Sequence, residues 1–185
     1  MTEQIRPEVV VLLGNRIRAV RQGKDLSVVK LAELSGVSRR MLTQIELGQA
    51  NPSIATVDRI ASALGTTFPA LAGVLGEGPP EGVEVWSTPN GSWASLLQAV
   101  QTSQVFVEMW KWHLVGGDRY HVSPAAGAPE TMAHVLQGQL LVRSGSSDLR
   151  VDAGGSARIG NTADHTFEAG TDVAVFLGVV TMPRL

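Results

Sequence analysis

The stretch SVVKLAELSGVSRRMLTQIELG, residues 27–48, reads as two short helices joined by a tight turn. Ser27 is placed to cap the first helix, because its hydroxyl can accept from an unpaired first-turn N–H. Val28, Leu31, Ala32 and Leu34 supply an apolar face. Gly36 ends that helix, where a left-handed residue is cheapest as glycine, and Val37 buries in the turn. Ser38 caps a second helix that runs through Glu46 and stops at Gly48. On it Met41, Leu42 and Ile45 mark one buried stripe. Arg39, Arg40, Thr43 and Gln44 lie mainly off the stripe, and such side chains suit phosphate oxygens and base edges. A helix–turn–helix puts this part of its second helix into the major groove of DNA. Ser27, Lys30, Ser38 and Asn51 complete the candidate DNA contacts. Two arginines alone would favour a solvated helix face in an ordinary helical bundle. The caps, the turn glycine and the polar first turn together favour DNA binding.

Upstream, residues 2–22 read as a first helix. Pro7 is tolerated near its start, Leu12, Leu13, Ile17 and Val20 line one face, and Gly23 ends it. Downstream, Asn51-Pro52-Ser53 is a turn. Ser53 caps a helix with a buried stripe of Ile54, Val57, Ile60, Ala61 and Leu64, and Gly65 terminates it. Residues 68–75 form a last short helix, so five helices close a core over residues 1–75. Residues 76–82, GEGPPEG, lack any period and read as a linker. Beyond them the pattern turns strand-like. Segments 83–86, 104–115, 132–136, 139–142, 149–151, 157–159 and 173–180 read as strands, with a turn at Gly116-Gly117. Residues 93–100 fit a strand or a short helix. Short strands with Gly-rich turns indicate a sandwich or barrel. The expected fold class is therefore multidomain, α then β, with an antiparallel β-barrel over residues 83–185.

Charge divides the same way. The net −2 of the 185 residues combines nine Lys/Arg against six Asp/Glu over residues 1–75 with six against eleven over residues 76–185. The halves carry +3 and −5. DNA affinity rests on phosphate neutralisation, so the basic half is the one suited to it. One copy carries too little charge to bind tightly alone. No apolar run approaches the ~18 residues of a membrane helix. The start lacks the pattern of a signal peptide. With no cysteine, disulfides and thiolate metal sites are excluded. A soluble, cytoplasmic protein with no membrane partner is expected.

Residues ~14–75 resemble the helix–turn–helix domain of the xenobiotic-response-element family, relatives of the lambda-type repressors. The resemblance rests on Gly14, Arg16-Ile17-Arg18, Arg21, Leu31-Ala32, Gly36-Val37-Ser38, Ile45-Glu46 and Gly48. It continues through Asn51-Pro52-Ser53, Thr56-Val57, Ile60-Ala61 and Ala63-Leu64-Gly65. It implies a five-helix lambda-repressor-like fold, double-stranded operator DNA as partner, and recognition positions at Arg39, Arg40, Thr43 and Gln44. The family usually has a phosphate-contacting Gln at the second position of its second helix. Val28 stands there instead, leaving Ser27 or Lys30 for that contact.

HVLQGQLLV (134–142) and DAGGSARIGNTADHTF (152–167) resemble the two motifs of a cupin, a jelly-roll barrel. Gly138 falls at the hairpin turn of the first motif and His165 at the histidine of the second. WKWHLVGGDRY (110–120) resembles the preceding strand and turn. Metal-binding cupins place two His and a Glu in the first motif and one His in the second, with open positions left for substrate. Here the Glu position holds Thr131 and a His position holds Ala125. Glu130 is one place off, which turns a strand side chain to the opposite face. The expectation is no cofactor, with a metal held by His121, Glu130 and His165 as the alternative.

For an organic ligand the candidates are Trp110, Trp112, His121, Glu130, His134, Arg158 and His165. Trp110 and Trp112 share a strand face and read more naturally as core or dimer interface. His113 and His134 read as hydrogen-bonded strand residues. Arg158 suits a carboxylate ligand and equally a solvated surface. The resulting expectation is a transcriptional regulator: a homodimer whose paired helix–turn–helix domains hold an operator while the barrel senses a small-molecule effector. Two alternatives stand beside it. One is a metal-dependent oxygenase or isomerase with an appended DNA-binding domain. The other is a barrel that serves only to dimerise.

Overall fold

The computed structural model describes residues 5–73, 82–102, 104–124 and 129–183. The chain divides into two compact units, Met1–Val74 and Leu75–Leu185. The stretch read as a linker lies outside the described residues except for Gly82.

The first unit holds α1 (Pro7–Gly23), α2 (Val28–Ser35), α3 (Arg39–Glu46), α4 (Ile54–Ala63) and α5 (Phe68–Ala72). Four of the five starts are capped by a hydroxyl. Ser27, Ser38, Ser53 and Thr67 accept from the N–H groups of Lys30, Met41, Thr56 and Ala70. Each removes one of the orphan donors a helix start leaves. α1 starts instead at Pro7, whose missing N–H costs nothing there. The helix thus begins after Ile5, which is buried ahead of it, and not at residue 2. Gly36 takes φ 63° and lets the Val37 N–H reach back to the Ala32 carbonyl at 3.2 Å. Leu13, Ile17, Leu31, Leu42, Ile45, Val57, Ile60 and Phe68 fill the core.

Three residues assigned to apolar faces lie outside. Leu12 is 36% exposed, Leu34 53% and Met41 41%. On α2 the inward positions are Leu31, Ala32 and Ser35, which follow the i, i+4 rule. The Ser35 hydroxyl is satisfied by the Leu31 carbonyl at 2.7 Å. On α3 the inward residues are Leu42, Ile45 and Glu46.

The second unit holds β1 (Val83–Ser87), β2 (Trp93–Gln101), β3 (Val105–Val115), β4 (Arg119–Val122), β5 (Glu130–Ser144), β6 (Ser147–Asp152), β7 (Ser156–Gly160) and β8 (His165–Pro183). All pairings are antiparallel. The two long strands β5 and β8 each serve both layers of the jelly roll. Glu130–Val135 and Val175–Thr181 pair in the layer that also contains β1, β2, β3 and β7. Leu140–Arg143 and Thr166–Ala169 pair in the layer with β4 and β6.

Gly138 is therefore not a hairpin turn. The segments 132–136 and 139–142 are one strand, bent by irregularities on both sides of Gly138. Gly138 has φ 70°, and a Cβ built there would overlap the Val173 carbonyl oxygen. A bulge residue that needs positive φ and close backbone approach selects glycine as strongly as a turn does. Residues 93–100 resolve as strand, and β4 is an element the sequence patterning did not bring out. No described helix is long and apolar enough to cross a membrane.

The barrel interior is aromatic. Trp112 stacks on Phe176 with centroids 5.8 Å apart, meets Tyr120 edge-on at 4.5 Å, and has Trp86 at 6.1 Å and Trp110 at 6.0 Å. Phe167 closes the cluster at 5.8 Å from Trp112 and 5.7 Å from Phe176.

Candidate functional site

The helical unit presents α3 on a rigid mount. Gly14 of α1 lies against α3 so closely that a Cβ there would overlap the Ile45 carbonyl oxygen and stand 3.3 Å from the Glu46 carbonyl. Beside it, buried Arg21 grips buried Glu46 with two parallel bonds, Nε to Oε1 at 2.6 Å and Nη2 to Oε2 at 2.9 Å. Its Nη1 donates to the Leu26 carbonyl at 2.8 Å. The bond from Glu46 raises the Arg21 pKa against the lowering effect of burial. A bidentate fork fixes angle as well as distance, so α1 sets both the depth and the rotation of α3.

With Leu42, Ile45 and Glu46 turned inward, Arg39, Arg40, Met41 and Thr43 are exposed and Gln44 is half-buried. Neither arginine has an ion-pair partner among the described residues. The Thr43 hydroxyl donates to the Arg39 carbonyl at 2.9 Å. That leaves it an acceptor and a methyl to offer. Ser27 and Ser38 use one lone pair each as caps and keep their protons for an outside acceptor. Lys30 reaches Glu33 at 3.4 Å, with both side chains largely in solvent. Asn51 is committed within the unit. Its Oδ1 accepts from the Ile5 N–H at 2.9 Å and its Nδ2 donates to the Ile5 carbonyl at 2.6 Å. It pins the chain ahead of α1, and a DNA contact would fall to its remaining N–H.

An open cleft of ≈ 270 Å³ lies beside α3, with Ser38, Met41, Ser53, Thr56 and Arg59 among its lining residues. The starts of α3 and α4 both border it, and helix N-termini favour anions. Sequence reading missed Arg59. Its signal was its place six residues beyond the Ser53 cap, one and a half turns along the same helix.

In the barrel, the candidate residues separate by strand face. Trp110 and Trp112 are buried core, joined by Glu108, whose carboxylate accepts from Trp110 Nε1 at 2.8 Å. His134 faces outward with Nδ1 2.8 Å from the Ser156 hydroxyl. Arg158 is exposed and ion-paired with Glu130. That pairing raises the arginine's pKa and leaves it outside the barrel. His121 is exposed beside Asp164 at 3.2 Å. Of the metal candidates, His165 points inward, 2% exposed.

The set His121, Glu130 and His165 therefore does not share one face and cannot enclose one ion. Ala125 lies outside the described residues. Among those described, no group of three or more His, Asp or Glu is placed to hold a metal. The donor set of a metal cupin is not met by Thr131, Glu130 and His121 as they stand.

The interior instead gathers neutral polar groups that the motifs did not flag. Thr131 is buried in the Glu position, and its hydroxyl oxygen accepts from Asn161 Nδ2 at 3.4 Å. Asn161 Oδ1 and His165 Nε2 are buried and make no hydrogen bond among the described residues.

Comparison with known proteins follows this division. The helix–turn–helix family HTH_3 matches residues 17–71. Over 61 residues the chain is 41% identical to the immunity repressor protein of Bacillus phage phi105, a match over 33% of this chain and 42% of the repressor's length. Over 185 residues it is 25% identical to the HTH-type transcriptional regulator SutR of Escherichia coli strain K12, covering 93% of this chain and 96% of that protein. A crystal structure of an HTH_3 family transcriptional regulator from Vibrio cholerae aligns with 96% of this chain and 99% of its own. The TM-score is 0.69 and the identity 26%.

Proposed function

Because the chain belongs to the xenobiotic-response-element family of helix–turn–helix transcriptional regulators and carries a C-terminal cupin barrel, we propose that it controls transcription as a homodimer. Paired helical units bind a near-palindromic operator, and the barrel pairs the copies and holds a small effector. The observation that carries the DNA half is the presentation of α3. Its inner face is locked to α1 by Gly14 and the Arg21–Glu46 fork, while Arg39 and Arg40 stand exposed without ion-pair partners among the described residues. Arg forks pair with guanine, and Gln44 pairs with adenine, in the major groove. The cleft beside Arg59, Ser38 and Ser53 suits a backbone phosphate.

An effector acts on such a protein only if it favours one arrangement of the paired DNA-binding units over another. The enzyme reading is disfavoured because its candidate ligands face opposite sides of the sheet. The test is operator selection from a random duplex library, followed by titration of Arg39→Ala, Arg40→Ala and Gln44→Ala. Each is expected to lose about 1–3 kcal/mol of discrimination at its own base pair. Unchanged operator affinity in all three would sink the reading.

A further inference from the structure

The inner face of the barrel carries hydrogen-bond acceptors that none of the described residues uses. Asn161 donates its Nδ2 to Thr131, so its Oδ1 is the free end, and it is 6% exposed. His165 has Nδ1 3.1 Å from the Ala163 carbonyl oxygen. A carbonyl can only accept, so Nδ1 carries a proton, and in that tautomer Nε2 presents a lone pair. That nitrogen has no partner either. Two buried acceptors without donors are costly to a folded chain, and here they stand four residues apart, on either side of the β7–β8 connection.

The surroundings narrow what would satisfy them. The His165 ring lies 5.2 Å from that of Phe167, which adjoins Trp112 and Phe176. In the opposite layer Glu108, Val180 and Thr131 stand in register on β3, β8 and β5. Glu108 and Thr131 are both buried on that inner face. Two residues along β8, Gly178 leaves bare backbone between Trp112 and Thr131. A Cβ there would stand 3.4 Å from Trp112 Nε1 and 3.8 Å from Thr131 Cγ2. No Lys or Arg side chain of the described barrel is buried, and Arg158 is held outside by Glu130.

We propose that the effector of this barrel is a small organic ammonium ion, held by Asn161 Oδ1 and His165 Nε2 beside the aromatic interior. This rests on the reading of the barrel as an effector domain and names the ligand class. An alkylammonium brings three N–H donors. Ring faces attract its charge, and the Glu108 carboxylate on the same inner face favours it. A carboxylate ligand brings no donor and meets no buried cation.

The full-length protein is heated in the presence of n-butylammonium, butyrate, n-butanol, Zn²⁺ or Mn²⁺ at matched ionic strength. Butylammonium alone is expected to raise Tm, with a stabilisation that grows logarithmically with its concentration. Asn161→Leu keeps the side-chain size and is expected to abolish the shift relative to its own unliganded Tm. Asn161→Asp replaces a neutral acceptor by a charged one and is expected to tighten butylammonium by about tenfold. A shift with butyrate, butanol or either metal overturns the ammonium assignment and leaves the barrel a sensor of another class. No shift with any of the five, with operator binding intact, overturns it as well and favours a barrel that only dimerises. Equal butylammonium shifts in the wild type and Asn161→Leu place the ion elsewhere and also overturn it.

Discussion

Arg59 and Lys30 are set apart from Arg39 and Arg40 by what they can reach. Arg59 lines the cleft between the α3 and α4 starts and touches Thr56 Oγ1 at 3.5 Å. Lys30 sits on α2 beside the Ser27 cap. Neither lies on the recognition helix, so both are read as phosphate contacts. Replacing either by Ala is expected to weaken operator and random DNA alike. It should also reduce the slope of log K against log[salt] by about 1. Anisotropy titrations at several salt concentrations check this, and a variant that instead relaxed sequence preference would reassign the residue to base reading.

In the barrel, Asp118 is buried and accepts from Thr88 Oγ1 at 2.5 Å, Ser92 Oγ at 2.6 Å and Asn90 Nδ2 at 2.8 Å. Burial by itself pushes its carboxyl up. The donors from Ser92, Thr88 and Asn90 outweigh that and hold it below the usual carboxylate range. A depressed folded pKa contributes stability above the unfolded value near 3.9, and that stability is lost as pH falls through the folded one. Asp118→Asn is therefore expected to lower the stability of the barrel at neutral pH and to flatten its loss below pH ~4. Urea denaturation across pH measures both. The hydroxyl caps at Ser27, Ser38 and Ser53 were legible in the sequence, because a cap depends on three neighbouring residues. The exposure of Leu34 and Met41 was not, since helices of eight residues offer barely two turns from which to read a face.

Among the elements, α3 depends most on another for its position. Gly14→Ala places a methyl against the Ile45 carbonyl, so α1 and α3 must separate. Overpacking of this kind costs about 1–3 kcal/mol. Operator affinity should fall by more than the unfolded fraction explains, because the displaced helix also loses its register in the groove. Removing one partner of the Arg21–Glu46 pair strands a buried charge, at about 3–5 kcal/mol. Glu46→Ala is thus expected to destabilise the helical unit more than Gly14→Ala, which guanidinium melts of the two variants would rank. The reverse order would mean that Arg21 finds another acceptor. The sequence showed both positions through the family resemblance but not their contact, which joins residues 25 apart. The same limit hid β5 and β8. A glycine flanked by two extended segments looks the same whether it turns a hairpin or relieves a bulge. Only the Val173 carbonyl pressed against Gly138 separates the two cases.

At the scale of the whole molecule, the division into a basic helical unit and an acidic barrel was legible from composition and period alone. The surface by which copies would pair was not, because a surface that meets its own copy carries no periodic mark. The physical argument for the proposed pairing lies in the charge count. A +3 unit neutralises few phosphates, and counterion release scales with their number. Two linked units double the contacts, and the second binds at the effective concentration set by the first. Two-fold related units then require half-sites roughly 34–36 Å apart, or multiples of that. Inserting about half a helical turn between the half-sites turns them to opposite faces of the duplex and is expected to reduce affinity to that of a single site. Inserting a full turn should restore part of it, as far as the connection between helical unit and barrel can stretch. Gel-shift titrations across a spacer series, with light scattering of the free protein, measure the effect and the stoichiometry together. Affinity that ignored spacing, with one protein per half-site, would mean that the barrels do not couple the DNA-binding units. An effector bound in the barrel would then have no mechanical route to the operator.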